Sequence, residues 1–207
     1  LEFGLPKALR SDDGSPFASR CAGGLSRLSV KVVKAGVLLE RIAPGKPQQN
    51  GRLERLHLTL LKDTAAPPAR SLRQQLERFR VFRHVYNDER PHQALGNATP
   101  AEHYVLSPRR FDGVLRTPEY TTDHVVRRVR HNGEIRLQGN TVYISSALIG
   151  EPIGLCEDED GNWAVSYGPI ELGLITHRDD RLRKPKRPAC GLVDNAKRRC
   201  PQGPQEQ

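Results

Sequence analysis

Pro44-Gly45-Lys46-Pro47-Gln48-Gln49-Asn50-Gly51-Arg52-Leu53-Glu54-Arg55-Leu56-His57 is the stretch on which the fold turns. A polar loop rich in proline and glycine runs straight into an amphipathic helix. Leu53, Leu56 and Leu60 recur at helical spacing and form its expected buried stripe. Arg52, Arg55, Thr59 and Lys62 fall on a second, largely basic stripe, with Glu54 between the two and His57 one turn on. Alone, Glu54 reads as an ordinary first-turn acid favoured by the helix dipole. Its other reading is a carboxylate held on a rigid helix beside cations, which suits a site that handles a charged polymer and a metal.

Upstream, Val37 to Ile42 is short and aliphatic, as a strand would be. Leu25, Leu28, Val32 and Ala35 precede it as one apolar helix face, and Gly36 is placed to end that helix. Lys7 to Asp12 reads as a strand that ends at Asp12, followed by the turn Asp13-Gly14-Ser15-Pro16. An acid at the end of a strand is a common site geometry in α/β sheets, and Asp-Asp-Gly is equally plain turn chemistry. The order strand, helix, strand, helix implies an α/β layer.

Downstream, Ser71-Leu72-Arg73-Gln74 is a capping-box signature. Leu72, Leu76, Phe79, Phe82 and Tyr86 are the expected apolar face of the helix it opens, which Asn87-Asp88-Glu89-Arg90-Pro91 stops. Thr99-Pro100-Ala101-Glu102 reads as an N-cap, a first-position proline and a short helix. After a linker the period changes to two. Val125, Arg127 and Val129 alternate into Asn132-Gly133, a hairpin signal, and further short strands follow at Ile135–Leu137, Val142–Ile144, Pro152–Cys156, Trp163–Tyr167 and Glu171–Ile175. Their close spacing suggests a small antiparallel β-barrel. The division expected is 1–105, a linker over 106–122, the barrel over 123–177 and a basic disordered tail over 178–207.

A formal charge of +9 points to a polyanion partner, and Arg127, Arg128, Arg130 and Arg136 concentrate positive charge at the first hairpin. No apolar run is long enough for a bilayer and the start is no signal peptide, so a cytoplasmic protein is expected. The four cysteines form no C-x-x-C pair, which argues against structural zinc and for reduced thiols. Methionine is missing even at position 1, which reads as a start at another codon or as a piece of something longer.

Three segments together resemble the DDE integrase core of bacterial insertion-sequence transposases. They are Leu5-Pro6-Lys7-Ala8-Leu9-Arg10-Ser11-Asp12-Asp13-Gly14, the loop Pro47-Gln48-Gln49-Asn50-Gly51 with Glu54, and Tyr86-Asn87-Asp88-Glu89-Arg90-Pro91-His92-Gln93-Ala94-Leu95 followed by Thr99-Pro100. The resemblance covers about residues 4 to 105 and is looser for the barrel. It implies a ribonuclease-H-like fold whose two Asp and one Glu hold Mg²⁺ (or Mn²⁺) for phosphoryl transfer on DNA. Asp12 matches the second Asp and Glu54 the Glu, as catalytic residues and metal ligands. Lys46, Gln48, Asn50, Arg52, Arg55, Arg127, Arg128 and Arg130 are the positions expected to contact double-stranded DNA. Asp13 stands where relatives commonly have Asn, and Leu58 and Leu61 where they are often basic. The first Asp belongs on a strand upstream of Leu5, so the expectation is a truncated copy, impaired in metal binding and catalysis. A homo-oligomer with full-length transposase is the implied assembly. The alternatives are a non-enzymatic DNA-binding remnant, or a regulator of the full-length enzyme. RNA binding is a third class, which positive charge alone does not separate from DNA binding.

Overall fold

The computed structural model describes residues 3–12, 14–43, 47–176 and 179–183. Asp13, Lys46 and nearly all of the expected tail lie outside the described residues. Two compact units divide the chain: residues 3–5 with 47–110, and residues 6–43 with 111–183.

In the larger unit β1 (Ala8–Ser11) runs parallel to β2 (Leu38–Arg41), with Ala8 opposite Leu38 and Ser11 opposite Arg41. A parallel pair needs a crossover, and α1 (Arg27–Lys34) supplies it. Ser26 opens α1 as its N-cap: its Oγ accepts the Ser29 N–H at 3.1 Å, while Ser29 Oγ accepts the Ser26 N–H at 2.7 Å. Gly36, at φ +73°, closes it. The Val37 N–H reaches back to Val32 O and the Gly36 N–H to Val33 O, a Schellman ending.

The buried face of α1 differs from the one expected. Ser29, Val30 and Val33 are buried, Leu28 is exposed, and Leu25 precedes the helix in a bridge to Ala18. The cap at Ser26 starts the helix after Leu25, so that leucine packs from the entry loop and the helical face rotates onto Val30 and Val33.

The rest of this unit is antiparallel. β3 (Val125–Arg128), β6 (Pro152–Glu157), β7 (Trp163–Tyr167), β8 (Ile170–Thr176) and β9 (Asp179–Arg183) form one sheet in that order. β4 (Glu134–Leu137) and β5 (Asn140–Tyr143) form a separate hairpin. Alternation places Trp163, Val165 and Tyr167 inward, where they join Leu155, Leu172 and Ile135 in one core. Val30 and Val33 of α1 belong to that same core.

Three features depart from expectation. The sheet is open among the described residues, with β3 and β9 at its edges, so the small barrel is not closed. Asn132-Gly133 turns the chain through an Arg130 C=O to Gly133 N–H bond, but β3 pairs with β6 rather than β4. The tight hairpin is instead closed by Gln138 and Gly139, both at positive φ, as a two-residue turn of this kind requires. Finally, Asp179–Arg183, expected in the disordered tail, adds to β8, and Leu182 packs against the core.

The smaller unit is helical. α2 (Gly51–Thr64) and α3 (Leu72–His84) are followed by a wide π-type turn, Val85–Glu89, and by the short α4 (Pro100–His103). Ser71 Oγ accepts the Gln74 N–H at the start of α3, as the sequence implies. Glu102 accepts from both the N–H and the hydroxyl of Thr99 at the start of α4. Gln75 and Arg78 of α3 donate to the Thr64 carbonyl at the end of α2, which ties the two helices. No apolar side chain is buried among the described residues of this unit, where Thr64 alone is buried. The expected stripes are therefore open: Leu53, Leu72, Leu76 and Phe79 are exposed, and Leu56, Leu60, Phe82 and Tyr86 half-buried. Among the described residues α2 packs on α3, and α4 on the π-type turn, too little to cover an apolar face.

Candidate functional site

Asp12 follows the last residue of β1, as expected, and is exposed. Its Oδ1 accepts the Gly14 N–H at 3.1 Å, so the carboxylate closes its own turn and keeps its other oxygen open. Glu54 stands in the first turn of α2, exposed, and makes no hydrogen bond or ion pair among the described residues. The two acids belong to different compact units. No group of three or more His, Cys, Asp or Glu that could hold a metal occurs among the described residues.

Around Glu54 the surface is basic and apolar at once. Arg52 and Arg55 are exposed on α2, and Gln48 is exposed in the turn before it. Asn50 precedes the first residue of α2 but makes no side-chain cap bond. A groove of about 360 Å³ between α2 and α3 is lined by Leu56, Leu60, Phe79, Phe82 and Tyr86, with His57 on the Glu54 side. Phe82 stacks on Tyr86 at 5.4 Å, and Tyr86 meets His92 edge-on at 4.7 Å. His92 also bonds the Tyr86 carbonyl at 3.2 Å. The Tyr86 to His92 motif is thus a local clamp that folds the chain back after α3.

The second basic surface is in the other unit. Arg127 and Arg128 are exposed on β3 and Arg130 on the turn after it. The Arg128 guanidinium donates to the Gly150 carbonyl at 2.8 Å, and that of Arg127 to its neighbour's carbonyl, Val126 O, at 3.1 Å. Neither is neutralised by an acid in these bonds, so both keep charge available to a phosphate.

A half-buried polar network ties α1 to this sheet, and the sequence carried no signal for it. Lys34 Nζ donates to Glu151 Oε1 at 2.7 Å, and Tyr167 Oη donates to Glu151 Oε2 at 3.1 Å. Burial, then the Glu151 charge, pushes the Tyr167 hydroxyl far above the usual phenol range. Burial likewise raises Tyr120. These residues hold the fold and touch no candidate site. Among the described residues Cys21 is a free thiol. Hydrogen bonding by Ser19 lowers the Cys21 pKa. No helix among the described residues is long and apolar enough to cross a membrane.

The chain is a mixed α/β protein with an acid at a strand end, an acid on a helix after a polar loop, and exposed arginines. Residues 35–100 match the integrase core domain family. Glu54 and the Tyr86 to Leu95 motif lie inside the match, and Asp12 outside it. A curated protein from Burkholderia multivorans (strain ATCC 17616 / 249), described as an uncharacterized 31.7 kDa protein of insertion element IS407, is 32% identical over 106 residues. The match covers 48% of this chain and 34% of that protein, so the chain spans about a third of its relative's length.

Proposed function

We propose that this chain is part of a DDE-type insertion-sequence transposase and that by itself it binds double-stranded DNA without cutting it. The observation that carries the reading is the integrase core match over 35–100, with Glu54 exposed and unpaired inside it. On this reading the core belongs to a ribonuclease-H-like fold, and the C-terminal sheet is a small barrel appended to it. Asp12 and Glu54 are two carboxylates of a centre that uses Mg²⁺ or Mn²⁺. On this reading the chain alone is expected to leave DNA strands uncleaved. Lys46, Gln48, Asn50, Arg52 and Arg55 face one stretch of DNA, and Arg127, Arg128 and Arg130 another.

The second reading is a regulatory role: occupation of DNA, or mixed assembly with full-length transposase. Two measurements test the pair. Affinity for a duplex oligonucleotide is expected to fall steeply with salt, because phosphate contacts release counterions. A salt-insensitive affinity removes the polyanion argument. Supercoiled plasmid with Mg²⁺ or Mn²⁺ is expected to stay intact. Nicking that disappears in Glu54→Gln overturns the inactive assignment and makes Glu54 catalytic. Excess chain added to full-length transposase lowers transposition if the regulatory reading is right, and leaves it unchanged if it is wrong.

A further inference from the structure

The β4–β5 hairpin hides Ile135, Leu137 and Val142 in the core and turns its other face outward. Register puts Glu134 opposite Tyr143 and Arg136 opposite Thr141, so Tyr143 and Arg136 share that outer face as diagonal neighbours. Tyr143 is 54% exposed, in a unit whose other tyrosines, Tyr120 and Tyr167, are half-buried or buried. Its ring rests against the preceding turn: a Cβ on Gly133 would come within 2.8 Å of Tyr143 Cε2. That turn is fixed by Arg130, whose N–H donates to Glu134 O at 2.8 Å and whose C=O accepts from Gly133 at 2.9 Å. Arg130 and His131 are exposed in that same turn, whose Gly133 the ring covers. Glu134 is the single acid of residues 130–143, and its carboxylate accepts from the Asn132 side-chain amide.

An exposed aromatic ring with one arginine on its face of the hairpin and another in the turn it covers fits a nucleobase flanked by phosphates. A base inside a duplex has both faces stacked, so a protein ring can take it only where the base is unpaired. We propose that Tyr143 is a stacking platform for an unpaired DNA base, with Arg130 and Arg136 holding the adjacent phosphates. This rests on the DNA reading above and extends it from duplex to single-stranded or frayed DNA.

The test uses the full chain and two labelled oligonucleotides, one single-stranded and one a hairpin duplex, with 2-aminopurine in the single strand. Stacking on one aromatic contributes about 1–3 kcal/mol. Tyr143→Ala is expected to weaken single-strand binding about tenfold and to abolish the 2-aminopurine quench. Tyr143→Phe is expected to keep both, and duplex affinity to change less than about twofold in either variant. Tyr143→Leu separates packing from stacking, since it covers Gly133 but offers no π-face. If Tyr143→Ala or Tyr143→Leu binds the single strand like the parent, or if single-strand and duplex affinity fall together without rescue by Phe, the platform is overturned and the DNA reading stands. If the parent binds neither oligonucleotide, both fall.

Discussion

Replacing Gly154 with alanine tests how the segment before β3 is strapped across the sheet. Gly154 sits in β6, buried, opposite Val126 on β3 and Ser166 on β7. A Cβ there would lie 2.4 Å from Tyr120 Cδ1, 2.5 Å from Cε1 and 2.9 Å from His124 Cδ2. The ring cannot slide aside at no cost, because its hydroxyl donates to the Pro152 carbonyl at 3.1 Å and accepts the Gly168 N–H at 3.2 Å. Loss of two such bonds costs about 2 kcal/mol. Partial re-exposure of the ring adds about 1 kcal/mol. The expected destabilisation is about 3 kcal/mol, or about 10 °C in melting temperature for a unit of this size.

Trp163, the lone tryptophan, is buried on β7 beside β6 and reports unfolding of this sheet by fluorescence. The decisive comparison is a double-mutant cycle with Tyr120→Ala. Removing the ring first makes room for the methyl, so Gly154→Ala in that background should cost under about 1 kcal/mol. Full additivity, or a Gly154→Ala protein that melts with the parent, refutes the strap.

Glu151→Ala leaves Lys34 largely buried without its partner and should cost about 2–3 kcal/mol in urea unfolding, while Glu151→Gln, which keeps an acceptor, should cost less. Tyr120 and Tyr167 have folded pKa values above their ordinary 10.0, so both bind a proton in the folded chain that the unfolded chain has released. Stability from this source is intact below pH 10 and falls as pH rises above it, by about 1.4 kcal/mol per pH unit for each tyrosine that stays protonated. Denaturation at stepped pH checks this, and Tyr167→Phe should make the decline shallower. Arg130→Ala should weaken duplex binding and reduce the salt slope by about 1 if its guanidinium meets a phosphate. Amide exchange should be faster in α2 and α3 than in β6 and β7, because no apolar side chain is buried among the described residues of the helical unit.

The legible parts of the fold were those set by local chemistry. Ser71 and Thr99 were readable as caps because a hydroxyl before a helix has a specific backbone partner, and Gly36 as a stop because positive φ favours glycine. Asp12 at a strand end and Glu54 in a first turn followed from the same punctuation. Pairing was less legible. Asn132-Gly133 has the local signature of a hairpin, yet which strands pair depends on Ile135 and Val142 entering a core built from remote residues. The face of α1 was misread for a related reason: a shift of the cap by a residue or two turns an apolar stripe through most of a helical face. Gln138, a non-glycine at φ +47°, gave no sequence signal for the turn it forms. The Glu151 network was invisible because Lys34 and Tyr167 lie 117 and 16 residues away from it, at spacings that encode nothing locally.

The helical unit decides how far the family's chemistry can be carried to this chain. Catalytic carboxylates must be held to within about half an ångström, which requires packing beneath the element that bears them. Glu54 projects from a helix whose leucines are exposed or half-buried and whose one buried side chain, Thr64, lies at the far end. Its guanidinium neighbours need no such precision, since attraction to a phosphate falls off gradually with distance. On the proposed function, Arg52 and Arg55 would meet phosphates without needing such packing, whereas Glu54 would depend on it.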